Sequence, residues 1–325
     1  MKFIGNIFFL LIVFLVSACA APTEPAPTAT PIPLPTTTPT MEPGLTPVLT
    51  IDKVGTLFFK DPYGVALNDA GEMYVTDSGN ARVLKFSPNG DLISTWDKKG
   101  SADGEFNSLG FGGLAVDKQG NVFVVDNGNH RIQKFEGDGT FLLAWGTEGT
   151  DDGQFMRAIG IAVDGDGNVY VTDDANPFVQ KFDNDGNFLM KWGGSGSEEG
   201  NFQHATGIAV DRNGNIFTAD YEAKRIQKFD PQGQFVASWK ISNQRGRAGT
   251  PEGIAVDALG QVYISDYDRG QIQAFTNDGE LLWSWDDSNR NEGNFRRPTS
   301  IALDDNGRIY VVNQAGNSLE VFQLP

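Results

Sequence analysis

One pattern recurs six times along this chain, and that recurrence restricts its fold more than any single motif. Gly64, Gly113, Gly160, Gly207, Gly253 and Ser300 form one column, at steps of 49, 47, 47, 46 and 47 residues. Asp77, Asp126, Asp173, Asp220, Asp266 and Asn313 form a second with the same steps, and Trp96, Trp145, Trp192, Trp239 and Trp285 follow the same period. A unit this short cannot bury both faces of a small sheet alone, so each copy must take its stability from its neighbours.

The copy at 158–192 shows the unit most clearly. Gly160-Ile-Ala-Val-Asp164 leads through a glycine turn to a β-branched and aromatic run ending at Asp173. Phe178-Val-Gln-Lys-Phe182, another glycine turn and Phe188-Leu-Met-Lys-Trp192 follow. Short alternating runs separated by Asp, Asn and Gly read as four strands with almost no helix. The sixth copy stops after Leu319-Glu-Val-Phe322 and lacks a fourth strand, while Val48-Leu-Thr-Ile51 stands ahead of the first copy, where a fourth strand would belong. Pairing the two closes the ring and leaves no open edge. Ala66, Ala115, Ala162, Ala209, Ala255 and Ala302 set a small residue against larger aliphatics in every first strand, which suits strands converging on an axis. The expected fold is all-β: a six-bladed β-propeller of four-stranded antiparallel blades, closed by an N-terminal strand on the last repeat.

Ahead of the repeats, residues 1–18 carry Lys2 and then the apolar run Phe8–Val16, too short for a comfortable membrane span and followed by small residues. They read as a signal peptide. Val16-Ser17-Ala18-Cys19 resembles the lipobox of bacterial lipoproteins, which implies lipidation of Cys19, the only cysteine in the chain. Residues 19–47 are dominated by Pro, Thr and Ala, a disordered stalk by composition, and 48–325 form the propeller. The expected location is the bacterial cell surface, exported and anchored in the membrane through Cys19. A formal net charge of −17 opposes binding to nucleic acid.

Pro251-Glu-Gly-Ile-Ala-Val-Asp257 and Asp126-Asn-Gly-Asn-His-Arg-Ile-Gln-Lys-Phe135 resemble the NHL repeat. That likeness implies a propeller, and it leaves activity open because NHL propellers include both binding modules and enzymes. Phe178, Gln271 and Ser318 depart from it where Arg82, Arg131 and Arg225 stand elsewhere, as does Ser300 for glycine. NHL-like lyases use a metal site with several histidines, and this chain has only His130 and His204. Calcium-assisted lactonases among related propellers need carboxylate, Asn and carbonyl oxygens at the axis. Here Glu252 is the one acidic residue just before a first-strand glycine. No cofactor is therefore predicted, with Ca²⁺ left open.

Asp77, Asp126, Asp173, Asp220 and Asp266, with Arg82, Arg131 and Arg225 five residues after three of them, read as loop caps and ion pairs that build the repeat. Function is expected where blades differ. Loops after the second and fourth strands share a face with the start of each first strand. That face would carry Tyr63, Phe111, Arg157, His204, Tyr221, Glu252, Tyr267 and Arg269, with Asp174 and Gln314 nearby. The reading that follows is a surface module binding or scaffolding a protein, peptide or glycan on this rim. Its alternative is a cation-dependent (Ca²⁺) hydrolase or lyase with its site in the central channel.

Overall fold

A computed structural model describes residues 45–54, 57–242, 248–286 and 295–325. The expected signal peptide, Cys19 and nearly all of the stalk lie outside the described residues.

The described chain forms six four-stranded antiparallel sheets, and a two-stranded hairpin pairs Lys53–Val54 with Leu57–Phe58. In blade 3 the strands are Ala158–Val163, Val169–Asp173, Phe178–Phe182 and Phe188–Gly193, from the axis outward. Blades 1, 2, 4 and 5 repeat this order. Blade 6 takes its inner three strands, Pro298–Leu303, Arg308–Asn313 and Ser318–Gln323, from the end of the chain, and its outer strand is Thr46–Ile51. The register runs Thr46↔Gln323 to Ile51↔Leu319. The closure is thus the one read from the sequence, with two more residues in the strand.

Six apolar clusters hold the ring, each shared by two adjacent blades. The one joining blades 6 and 1 gathers Ile51, Phe59, Val65, Met73, Leu84, Tyr310, Val312 and Leu319. The tryptophan column belongs to these joints. Trp96 packs on Phe135 at 5.3 Å between ring centres, Trp145 on Phe182 at 5.7 Å, Trp192 on Phe229 at 5.9 Å, and Trp285 on Phe322 at 5.2 Å. In each pair the phenylalanine belongs to the next blade, so one aromatic per repeat welds successive sheets. Trp283, outside the column, is half-buried against Tyr263 at 5.8 Å.

The glycine column has a different cause. A Cβ at Gly160 would overlap the carbonyl oxygen of Thr206, and one at Gly207 the carbonyl oxygen of Glu252, so each inner strand lies against the backbone of the following blade. Gly207→Ala must push two blades apart and is expected to cost roughly 2–3 kcal/mol, as overpacking in a rigid core does. A urea midpoint equal to that of the wild type would contradict this close approach.

Candidate functional site

The ladder register decides which loops share a face. The first residue of an inner strand pairs with the last of the second: Pro62↔Asp77, Ala158↔Asp173, Ala205↔Asp220, Pro251↔Asp266 and Pro298↔Asn313. The starts of the inner strands, the loops after the second strands and the interblade loops therefore gather around one mouth of the channel.

Across that mouth blades 1 and 5 touch. The Tyr63 hydroxyl donates to Oε1 of Glu252, a pair 189 residues apart in sequence, and both side chains are buried. Phe111 from blade 2 sits edge-on to Tyr63 at 5.7 Å, and the Thr299 hydroxyl of blade 6 donates to the Tyr63 carbonyl at 2.8 Å. No donor among the described residues reaches Oε2 of Glu252.

Blades 3 and 4 meet beside this pair. Asp174, just past the second strand of blade 3, accepts from Nε of Arg157 on one carboxylate oxygen and from Nε2 of His204 on the other. Its side chain is 2% exposed, whereas those of Arg157 and His204 are 47% and 28% exposed, so the two reach the mouth from a buried anion. Because Nε2–H donates to Asp174, neutral His204 presents an unprotonated Nδ1, which has no protein partner among the described residues. Aromatic contacts continue around the rim, with His204 edge-on to Tyr221 at 5.6 Å and Tyr221 to Tyr267 at 6.1 Å. The Tyr267 hydroxyl donates to Gln314 at 2.9 Å.

Two groups here titrate away from their ordinary values. Asp174, as acceptor, raises the pKa of His204 above 6.5, against the opposing effect of partial burial. Burial raises Glu252 to about 7, only partly offset by the hydrogen bond from Tyr63 and the charge of His204. Each shifts the other, which marks them as neighbours in the same field. Burial also raises Tyr63 well above 10, so it stays a donor throughout.

Glu252 thereby makes stability depend on pH. Its folded pKa of about 7 exceeds the ordinary 4.5, so its stabilising contribution is complete below about 4.5 and is lost as pH rises through 7. The difference is on the order of 3 kcal/mol. Urea unfolding at mildly acid and mildly alkaline pH should show wild type losing more stability than Glu252→Gln over that span; parallel losses would refute the assignment.

Other singled-out residues build the ring. Asp77, Asp126 and Asp220 pair with Arg82, Arg131 and Arg225 at 2.6, 2.9 and 3.3 Å. In blade 5, where Gln271 replaces that arginine, Arg269 takes over with a 3.1 Å bond to Asp266 and a bond to the Ala248 carbonyl. Arg269 is therefore tied to its own blade and takes no part in the contacts around His204. In blade 3, where Phe178 stands, Asp173 accepts from the backbone N–H groups of Met156, Arg157, Ala175 and Asn176. Blade 6 loses acid and base together, and the buried side-chain amide of Asn313 finds no hydrogen-bond partner among the described residues. Lys224, Asp268 and Arg297 also lie near the Tyr221–Tyr267 pair, although no regular feature of the repeat points to them. Lys224 Nζ is 4.5 Å from the Tyr221 ring centre and the Arg297 guanidinium 5.5 Å from that of Tyr267. The Thr250 hydroxyl donates to Asp268 at 2.7 Å and accepts from Lys224 at 3.1 Å.

Calcium wants six to eight oxygen ligands with several carboxylates. Among the described residues no three His, Cys, Asp or Glu side chains converge as such a site would require. Both oxygens of Asp174 are engaged, and Glu252 lies buried under Tyr63 with its protonated form favoured near neutrality. These residues do not fit a calcium cage.

The NHL repeat family matches residues 59–86, 112–135, 202–229 and 249–275, within four of the six blades. The chain has an NHL-repeat propeller fold. No curated protein matches it. Among solved structures, this NHL-repeat propeller is similar to a gluconolactonase from Xanthomonas campestris, with TM-score 0.61 and 18% identity over 88% of this chain and 97% of that one. A streptogramin B lyase matches with TM-score 0.59 and 17% identity over 86% of both chains. A virginiamycin B lyase from Staphylococcus aureus, bound to quinupristin, matches with TM-score 0.60 and 14% identity over 85% and 87%. At these identities the likeness shows the fold. It also corrects the expectation of a non-enzymatic module devoted to protein, peptide or glycan binding, because these neighbours are lyases and a lactonase.

Proposed function

We propose that this protein is a hydrolase or lyase whose site is the channel mouth and whose reaction starts with a proton taken by His204. The observation that carries this reading is Asp174, a buried carboxylate holding both His204 and Arg157 across the joint between blades 3 and 4. A carboxylate on one imidazole nitrogen fixes the tautomer, leaves the other nitrogen as the base and stabilises the imidazolium that forms. The proton comes from water attacking an ester or lactone carbonyl, or from a carbon beside a carbonyl in an elimination. Arg157, half in solvent beside His204, can face the oxygen on which negative charge grows. The imidazolium so formed can return its proton to the departing oxygen, which closes the proton balance on His204. The similarity to lyases and a gluconolactonase adds support at the level of fold.

The test is a panel of lactones and cyclic or linear esters assayed with wild type and His204→Gln, in ordinary and heavy-oxygen water. Turnover lost in His204→Gln is the expected result. Heavy oxygen in the product marks hydrolysis and its absence elimination. Chelation with EDTA should leave the rate within about twofold, since the mouth residues described do not fit a calcium cage. A His204→Gln enzyme with wild-type turnover would sink the reading. We further infer that the protein works outside the membrane, held through Cys19; Cys19→Ala should then move it from the membrane fraction to the soluble one.

A further inference from the structure

We infer that the channel mouth selects a substrate carrying a carboxylate beside an aromatic ring. This deepens the enzymatic reading and rests on it for the word substrate, but it stands on separate side chains. The chain is strongly acidic, at −17 overall, yet the groups this face offers to solvent include Arg157, Lys224 and Arg297. Its two deepest carboxylates are withdrawn: Asp174 is shared between Arg157 and His204, and Glu252 lies under Tyr63. Lys224 and Arg297 have no carboxylate within ion-pair distance among the described residues. Lys224 is held at 3.1 Å by the Thr250 hydroxyl, which donates in turn to the exposed Asp268, so that carboxylate reaches the lysine only through the threonine. Glu222, next to Tyr221, is exposed.

The two cations flank an aromatic platform. Tyr221 and Tyr267 meet edge to face at 6.1 Å, Lys224 lies over the first and Arg297 over the second. The cations cover one face of each tyrosine, so a flat ring can meet the tyrosine pair on the sides left open while its carboxylate reaches the ammonium and the guanidinium, gaining charge-assisted hydrogen bonds that a neutral analogue lacks. An exposed arginine and a half-buried lysine without ion partners, in a chain with a large excess of acid, are otherwise unaccounted for by the repeat. In the corresponding columns blade 1 has Ala81 and Asp61.

The test uses phenylacetate against phenylacetamide, which have the same ring and nearly the same shape and need no turnover. Ligand-observed NMR titration of the wild-type protein should show the carboxylate binding at least roughly tenfold more tightly, about 1.4 kcal/mol. Lys224→Gln with Arg297→Gln, checked for an unchanged melting curve, should bring the two within about twofold. High salt should weaken the carboxylate alone. Equal affinity, preference for the amide, or failure of both to bind would overturn the inference and leave the His204 reaction untouched. Selectivity in a protein that opens no ester or lactone would overturn the enzymatic reading instead.

Discussion

Asp174→Asn is expected to lower turnover by roughly 10²–10⁴-fold, the usual weight of a well-placed acid or base. The carboxylate does two jobs that an amide cannot do together. It accepts the Nε2 proton of His204, which aims Nδ1 into the mouth, and it accepts from Arg157 on its other oxygen. Asparagine has one acceptor and one donor group, so it either turns its NH₂ toward His204 and reverses the tautomer or releases Arg157. The histidine itself gives a readout that does not depend on finding a substrate. Its pKa lies above 6.5 chiefly because of the bond to Asp174, so NMR titration of the imidazole should find it lower in Asp174→Asn. An unshifted value would show that the pair does not act as drawn. Because Asp174 lies past the end of the Val169–Asp173 strand, the sheet should survive the change.

The second large effect concerns closure. A chain beginning at Asp52, without Thr46–Ile51, is expected to melt roughly 10 °C lower, or to lose a single cooperative transition. It forfeits the ladder to Ser318–Gln323 and the Ile51 side chain, 5% exposed in the cluster between blades 6 and 1. Burial of one aliphatic of this size is worth about 2–5 kcal/mol, at about 2–4 °C for each. Removing the strand also bares the backbone of Ser318–Gln323 as an edge, so light scattering should report self-association. A monomer with an unaltered melting temperature would disprove the role of this strand.

Much of this architecture could be read before any coordinates because the repeat tests itself. One glycine column is ambiguous, but five glycines at steps of 46 to 49 residues, each later found against the next blade's backbone, share one steric cause. The site was legible only in part. Tyr63, Arg157, His204 and Glu252 stood out as departures from their columns, and the topology brings them to one mouth. No spacing rule, however, could join Tyr63 to Glu252, because their contact depends on how far the ring closes around its axis. Arg269 shows the converse error: it differs from the repeat at its own position only because it replaces an arginine missing two residues later. Lys224 escaped because it sits in a loop column with mixed residues, where an extra cation looks like ordinary surface, and Arg297 was passed over although it shares the column of Arg157 and His204. The setting of Asp174 was hidden for a plainer reason: composition counts a buried aspartate the same as a solvated one.

The seam in blade 6 also orders events in time. Thr50 pairs with Glu320, 270 residues later, so blade 6 cannot be completed until almost the whole sequence has been synthesised. Contacts of such separation form slowly, and until then the inner face of blade 1 has no partner on that side. The hydrogen bond between Tyr63 and Glu252 joins blades 1 and 5 across the same gap. The Tyr63–Glu252 side of the mouth is therefore assembled last, when the ring shuts, whereas the Asp174 contacts between blades 3 and 4 need not wait for it.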